Sequence, residues 1–425
     1  MHTLSQLRSG KLKGIKRLDL SCGLTTFPED IFSLADSLEI LNLSGNALSS
    51  LPDDLPRLKS LKVIFCSDNQ FDHLPEVLGR CSNLCMVGFK ANQIQTVSAA
   101  ALPLELRWLI LTDNQISHLP AELGQCHALQ KLMLAGNQLQ SLPETLAACQ
   151  NLELIRISAN QLQALPDWLF SLPKLAWLAF AGNPFCPMPP ASPHAPAIHW
   201  QDLEVAEQLG EGASGVIYKA LWQQENPRAV ALKRFKGALT SDGLPQCEMA
   251  ACIAAGEHPY LIGAIGQVEH PDQHPALLMP LIDGFSNLAG PPSLESCTRD
   301  IYAQDQYFSL ENTLKIASSI AAAAEHLHAA HILHGDLYAH NILIGPENET
   351  RLGDFGAASF YTPEQNLLQN IEVRAFACLL EELLSRTQGS AATLDKLANL
   401  QISSAQVTIS ARPLFSEIKK ILSSL

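Results

Sequence analysis

Charge is scarce in this chain of 425 residues: Asp, Glu, Lys and Arg make up 16% of it, and 28 basic residues face 42 acidic ones for a formal net charge of −14. Without clustered Lys and Arg the chain cannot neutralise a phosphate backbone, which sets nucleic acid aside as a partner. The eleven cysteines lie scattered from Cys22 to Cys378 with no Cys-x-x-Cys pair among them. They read as reduced structural thiols. Long apolar runs are missing as well. The best candidate, residues 314–333, contains Lys315, Glu325, His326 and His328 and makes a poor membrane span. The first fourteen residues carry basic side chains with no apolar run behind them, so no secretory signal is expected and a cytoplasmic location is. Against these absences stands a hydrophobic content of 47%, which points to a folded chain, and a length that suits two domains.

Asparagine marks the first domain. Asn46, Asn69, Asn92, Asn114, Asn137, Asn160 and Asn183 follow one another at gaps of 23, 23, 22, 23, 23 and 23 residues. Five and three positions before each stand apolar pairs such as Leu41 and Leu43, Val87 and Phe89, or Ile155 and Ile157, the inward residues of a short strand. A Leu-Pro step follows in most repeats, as at Leu74-Pro75 and Leu142-Pro143, and turns the chain toward the opposite side. This pattern resembles the leucine-rich repeat, a solenoid whose Asn side chains bond backbone groups of their own and neighbouring turns. The outward strand positions Phe65, Trp108, Ile110, Met133, Arg156 and Trp177 would form its concave face. Exposed aromatics with an Arg suit a protein partner. The competing expectation is that several of them pack against the C-terminal domain or each other.

Six prolines between Pro184 and Pro196 predict an extended, semi-rigid linker. The expected division is therefore 1–183 for the repeats, 184–201 for the linker and 202–425 for a second domain. That domain opens with Leu209-Gly210-Glu211-Gly212-Ala213-Ser214-Gly215-Val216, a glycine hairpin that lets backbone approach phosphates closely; its resemblance to the glycine loop of protein kinases implies Val216 over the adenine face. Val230-Ala231-Leu232-Lys233 follows as a strand delivering one Lys, and Glu248 fifteen residues on lies in a helical stretch from which it can face back to Lys233. Leu277-Leu278-Met279-Pro280-Leu281-Ile282 resembles the strand into the hinge of protein kinases, a resemblance that implies backbone groups near Pro280 and Ile282 on adenine and a gatekeeper at Met279. Then come His334-Gly335-Asp336-Leu337-Tyr338-Ala339-His340-Asn341 and, thirteen residues after Asn341, Asp354-Phe355-Gly356.

Order and spacing together resemble the protein kinase family over about residues 203–425. The resemblance implies a multidomain chain of α/β and α+β parts, a leucine-rich-repeat solenoid followed by a two-lobed kinase-like domain. It also implies ATP and Mg: Asp336 as the residue that accepts or orients the substrate hydroxyl proton, Lys233 on the α- and β-phosphates, and Asn341 and Asp354 on the metal. Arg412-Pro413 is similar to the family's segment before its last helix, and Glu372 stands where its central helix is expected to begin, in place of the usual Asp.

Several positions depart from the family. Gly335 replaces the Arg before the catalytic Asp, so no guanidinium from this loop can dock a phosphorylated segment, and activity independent of such phosphorylation is expected. Tyr338 replaces the Lys that serine/threonine kinases carry two residues after that Asp, and His340 stands where tyrosine kinases carry an Arg. Only eighteen residues separate Asp354 from Glu372, with Thr362-Pro363-Glu364 as the nearest imitation of Ala-Pro-Glu. Ser359, Tyr361 and Thr362 are candidate phosphosites, although loop hydroxyls are usually just solvated. A serine/threonine protein kinase is the leading expectation. A small-molecule kinase of the aminoglycoside or choline phosphotransferase type, and an ATP-binding pseudokinase scaffold, are the alternatives.

Overall fold

The computed structural model describes residues 1–187, 198–212, 214–269 and 276–425, so most of the expected Pro-rich linker lies outside the described residues. The chain divides into two compact units. One comprises Met1–Ile155 with Ala159–Lys174, and the other Arg156–Ser158 with Leu175–Leu425.

In the first unit a short helix, α1 (Leu4–Arg8), is boxed at its start by Thr3 and Gln6. Three-residue strands then recur once per repeat: β1 (Arg17–Asp19), β2 (Ile40–Asn42), β3 (Val63–Phe65), β4 (Met86–Gly88), β5 (Trp108–Ile110) and β6 (Lys131–Met133). Each pairs with the next in parallel, in chain order. Two further three-residue strands follow along the chain, β7 (Leu154–Arg156), whose last residue belongs to the second unit, and β8 (Trp177–Ala179), which lies wholly in it. The paired apolar positions are sealed: Leu41, Leu43, Phe89, Leu111 and Leu134 expose none of their surface. Most Leu-Pro steps start a 3-10 turn on the other side, with Pro75, Pro120, Pro143 and Pro166 at its first boundary. In the repeat one residue shorter than the rest, Ser98 takes that place and its hydroxyl accepts from the Ala100 amide at 3.2 Å.

Each repeat Asn ties adjacent turns. The Oδ1 of Asn114 accepts from the Ile94 amide at 3.0 Å, while its Nδ2 donates to the carbonyls of Phe89 and Leu111 at 2.9 and 3.0 Å. Backbone groups that no strand ladder reaches are satisfied this way, and the 23-residue period follows from it. Asn114→Ala is expected to cost at least about 2 kcal/mol, because it strands buried donors and acceptors. A lowered urea midpoint in the isolated substitution would register that loss, and an unchanged midpoint would refute the ladder's role.

The second unit carries a six-stranded sheet and a helical region. Its sheet strands are β9 (Ile198–His199), β10 (Leu203–Glu211), β11 (Gly215–Trp222), β12 (Arg228–Phe235), β13 (Gly266–Glu269) and β14 (Ala276–Pro280), ordered β10-β11-β12-β14-β13-β9. Leu203, Trp222, Val230, Leu232, Val268 and Leu278 form its core. Between β12 and β13 runs α2 (Pro245–Ala255), opened by Pro245 at its first turn and stopped at Gly256, where φ is +63°.

Short strands and longer helices complete the unit. In chain order these are β15 (Ser286–Asn287), β16 (Phe308–Ser309), α3 (Leu310–Ala329), β17 (Ile332–Leu333), β18 (Ile342–Ile344), β19 (Thr350–Leu352), β20 (Ser359–Phe360), α4 (Leu367–Leu384), β21 (Thr387–Gln388), α5 (Ala391–Ser404) and α6 (Phe415–Leu422). The hydroxyl of Ser309 caps α3 at the Asn312 amide, and Ile316, Ile320, Ala323, Ala324 and Leu327 form its buried stripe. Glu372 is not at the start of α4 but five residues in, and it is buried. The helix begins earlier because Thr362-Pro363-Glu364 forms a capped 3-10 turn that leads straight into it. Among the described residues no helix is long and apolar enough to cross a membrane.

Candidate active site

A cleft of about 400 Å³ opens in the second unit, lined by Leu209 and Gly210 of β10, Ile217 of β11, Ala231 and Lys233 of β12, Met279 and Pro280 of β14, Ile282, Leu343 of β18 and Asp354. Its walls are apolar and its floor is ionic. Ile217, and not Val216, is the β11 residue that lines it, because alternate strand residues face opposite sides and Ile217 lies opposite Lys233 in register. Counting back from Lys233 across the hairpin would have found it. Gly215 is required by packing: a Cβ there would stand 2.5 Å from the Arg234 carbonyl oxygen. Gly212 sits at the exposed tip, its amide bonded to the Gly215 carbonyl at 2.9 Å.

Lys233 is buried and pairs with Glu248 Oε1, and its ammonium lies 3.9 Å from Asp354 Oδ1. Burial works against the ammonium charge, but Asp354 and Glu248 outweigh it and hold Lys233 above its ordinary range. Partial desolvation at the cleft floor opposes the Asp354 charge, and Lys233 overrides it, keeping that carboxyl below the usual range. Asp354 adopts a left-handed backbone, φ +55°, uncommon for a residue with a side chain. Behind it Phe355 is buried with its ring centroid 5.4 Å from that of His334. His334 Nε2 lies 2.9 Å from the Gly353 carbonyl, and its Nδ1 accepts from the Asp336 amide at 3.3 Å. That places the ring proton on Nε2.

Asn341 donates through Nδ2 to both the Asp336 carbonyl and Asp336 Oδ2, at 2.9 and 2.8 Å. With the amide nitrogen so committed, Oδ1 is the Asn341 atom available to a cation. Asp354 adds a half-exposed carboxylate. No group of three or more His, Cys, Asp or Glu among the described residues could hold a metal alone. Two oxygens suit a hard cation that takes its remaining ligands from phosphates and water.

Residues 203–391 match the family described as protein kinase domain. Residues 37–58, 104–162 and 127–185 match leucine-rich-repeat families. The chain carries leucine-rich repeats ahead of a protein kinase domain. The chain is 31% identical over 181 residues to the serine/threonine-protein kinase PknD of Chlamydia caviae, covering 41% of this chain and 19% of that one. It is 27% identical over 157 residues to the cyclin-dependent kinase D-1 of Arabidopsis thaliana, covering 36% of each. It is 27% identical over 160 residues to a "probable serine/threonine-protein kinase" of Dictyostelium discoideum, covering 37% of this chain and 9% of that one. The chain thus spans about a tenth to a third of the length of these relatives.

The departures of the kinase domain from its family have structural partners. Gly335, φ +72°, donates its amide to Glu372 Oε1 at 2.7 Å, and His328 Nε2 lies 2.8 Å from Glu372 Oε2. Burial alone would raise the Glu372 carboxyl, but His328 and the Gly335 amide hold it below its usual range. A Cβ on Gly335 would stand 2.6 Å from the Ala357 carbonyl oxygen and 2.8 Å from that of Leu178. Tyr338 stacks on Trp177 with ring centroids 4.1 Å apart and planes 6° apart. His340 is turned to Asp300, Nδ1 to Oδ1 at 2.7 Å, and does not replace an Arg at the site.

Two expectations are corrected here. Arg156 and Trp177 are buried in the same compact unit as the catalytic loop, so they are not open to an outside partner; Phe65, Trp108, Ile110 and Met133 stay half-exposed. Ser359 and Tyr361 are not solvated loop hydroxyls either. Ser359 Oγ accepts from the amides of Phe180 and Ala181 at 3.0 and 3.1 Å, and the Tyr361 hydroxyl donates to the His328 carbonyl at 3.1 Å. Sequence reasoning missed Arg156, Asp242 and Asp300 as neighbours of the catalytic loop. The one available hint was the pair of departures at Gly335 and Tyr338.

Gly335→Arg, which writes the family's residue back, is expected to lower the urea midpoint and abolish activity, since a side chain at φ +72° with two carbonyl oxygens inside 3 Å has no room. A gain in rate would refute that. Ile217→Ala should weaken ATP binding about tenfold through lost apolar contact, and Val216→Ala should leave it within about twofold, as titration of each variant with nucleotide would show.

Proposed function

We propose that the chain is an ATP-dependent protein kinase that transfers the γ-phosphoryl group of Mg-ATP to a serine or threonine hydroxyl of a protein. The observation that carries this reading is the pairing of Lys233 with Glu248, with Asp354 at 3.9 Å, on the floor of a cleft with apolar walls. In this reading Lys233 binds the α- and β-phosphates and Glu248 keeps its ammonium aimed there. Asp336, steadied by Asn341, receives or orients the proton of the substrate hydroxyl. Asn341 and Asp354 would hold magnesium, which when bound neutralises charge on the β- and γ-phosphates. Leu209, Gly210 and Ile217 cover the base, and backbone groups at Pro280 and Ile282 orient it. Two of the three relatives above are named as serine/threonine-protein kinases, which supports serine/threonine over tyrosine.

The half-exposed concave residues Phe65, Trp108, Ile110 and Met133 recruit a substrate or regulator. Trp108 is braced for that role by Lys131, whose ammonium sits 4.5 Å over its ring. A cytoplasmic location fits the eleven cysteines, most of them buried thiols. The scaffold reading has one observation of its own: both carboxylate oxygens of Asp336 already accept hydrogen bonds.

Incubation of the full chain with Mg-ATP and mixed proteins, beside Asp354→Asn, tests the reading. Phosphate incorporation that disappears in the variant supports it; nucleotide binding without incorporation transfers the case to the scaffold. Because the hydroxyls of Ser359 and Tyr361 are internal, phosphatase treatment of the purified enzyme is expected to leave its rate within about tenfold, or roughly 1.4 kcal/mol of barrier. A larger loss would show that phosphorylation of this segment does control the enzyme.

A further inference from the structure

The catalytic loop of this chain lacks both cations found beside the catalytic Asp in the family it resembles, yet a guanidinium stands there. Arg156, 180 residues upstream, exposes 2% of its side chain. Its Nη2 pairs with Asp336 Oδ1, its Nη1 donates to the Gly335 carbonyl at 2.9 Å, and its Nε donates to Asp242 Oδ1 at 2.8 Å. Asp242 lies in the segment that leads into α2, the helix that carries Glu248, and its other oxygen accepts from Ser241 at 2.7 Å. One planar fork therefore spans three acceptors, two of them carboxylates, a geometry that Lys cannot reproduce.

The seat of this guanidinium is built. Arg156–Ser158 and β8 belong to the compact unit of the catalytic loop. Trp177 of β8 stacks on Tyr338 and donates its Nε1 to the Leu337 carbonyl at 3.0 Å. The Leu178 carbonyl occupies the space that a side chain at Gly335 would need. Gly335 and Tyr338, read alone, look like losses; read with β8, they are the surfaces that admit Arg156. A buried guanidinium without partners is strongly unfavourable, and two carboxylates with a carbonyl offset that here.

We propose that Arg156 is a positioning residue for phosphoryl transfer, supplying from β7 the cation that the catalytic loop itself lacks. With Asn341 it fixes the carboxylate of Asp336 from two sides, and through Asp242 it ties the approach to α2 to the catalytic loop, so that Glu248 arrives opposite Lys233. Each carboxylate oxygen of Asp336 has a second lone pair, so a substrate hydroxyl can still be met. The proposal rests on the protein kinase reading above.

The test compares kcat and KM for ATP in the full chain carrying Arg156→Gln, Arg156→Lys, Arg156→Gly or Asp242→Asn, each checked for an unchanged melting profile. Arg156→Gln is expected to lower kcat about a hundredfold with KM for ATP within about threefold, and Arg156→Lys to recover little of it. Added guanidinium ion should restore part of the rate to Arg156→Gly and none to Arg156→Gln, where the side chain fills the seat. Asp242→Asn, which leaves Arg156 in place, should lower kcat about tenfold and so carries the test if every Arg156 variant unfolds. A rise in kcat would make the contact a brake on the enzyme, and unchanged kcat in folded Arg156→Gln or Asp242→Asn would make it structural only; either overturns the proposal. Wild-type chain without phosphate incorporation would overturn the kinase reading and this proposal together, whereas active wild type with an indifferent Arg156 overturns this proposal alone.

Discussion

Buried charge must be matched where it lies, because the interior cannot solvate it, and the kinase domain of this chain is organised by that constraint. Lys233, Glu248, Arg156 and Glu372 are all buried, and each finds an opposite charge or a hydrogen-bond partner. The pairs are chained. Glu372 holds the Gly335 amide, Arg156 holds the Gly335 carbonyl and Asp336, Asp242 links that fork to the approach to α2, and α2 brings Glu248 to Lys233. Moving one member leaves a charge stranded at the next. Such a network has few alternative arrangements, which is what a phosphoryl-transfer site asks of its scaffold.

The repeats solve the complementary problem with neutral groups. Three-residue strands leave many backbone amides and carbonyls outside any ladder, and each repeat places one Asn where its two ends can satisfy them. The solenoid therefore needs few charges, in keeping with a chain that is 16% charged overall. Its concave face keeps four apolar side chains half-exposed at Phe65, Trp108, Ile110 and Met133, while the equivalent positions at Arg156 and Trp177 are spent on the catalytic loop.

The sequence by itself determined whatever depends on spacing along the chain. The Asn period defined the solenoid, and the motifs carrying Gly210, Lys233, Glu248 and Asp354 marked residues that line the cleft, because local geometry at each motif is set by neighbours a few residues away. Even there a one-residue slip on a strand exchanged Val216 for Ile217, since successive strand residues face opposite sides. What only the tertiary structure decided are the contacts between residues far apart in sequence: Arg156 on Asp336, Trp177 on Tyr338, Phe180 and Ala181 on Ser359. No periodicity or motif encodes a guanidinium placed 180 residues from its carboxylate. The pairing exists because folding buries the Arg156 guanidinium against the part-buried Asp336 carboxylate, and a buried charge needs its opposite beside it.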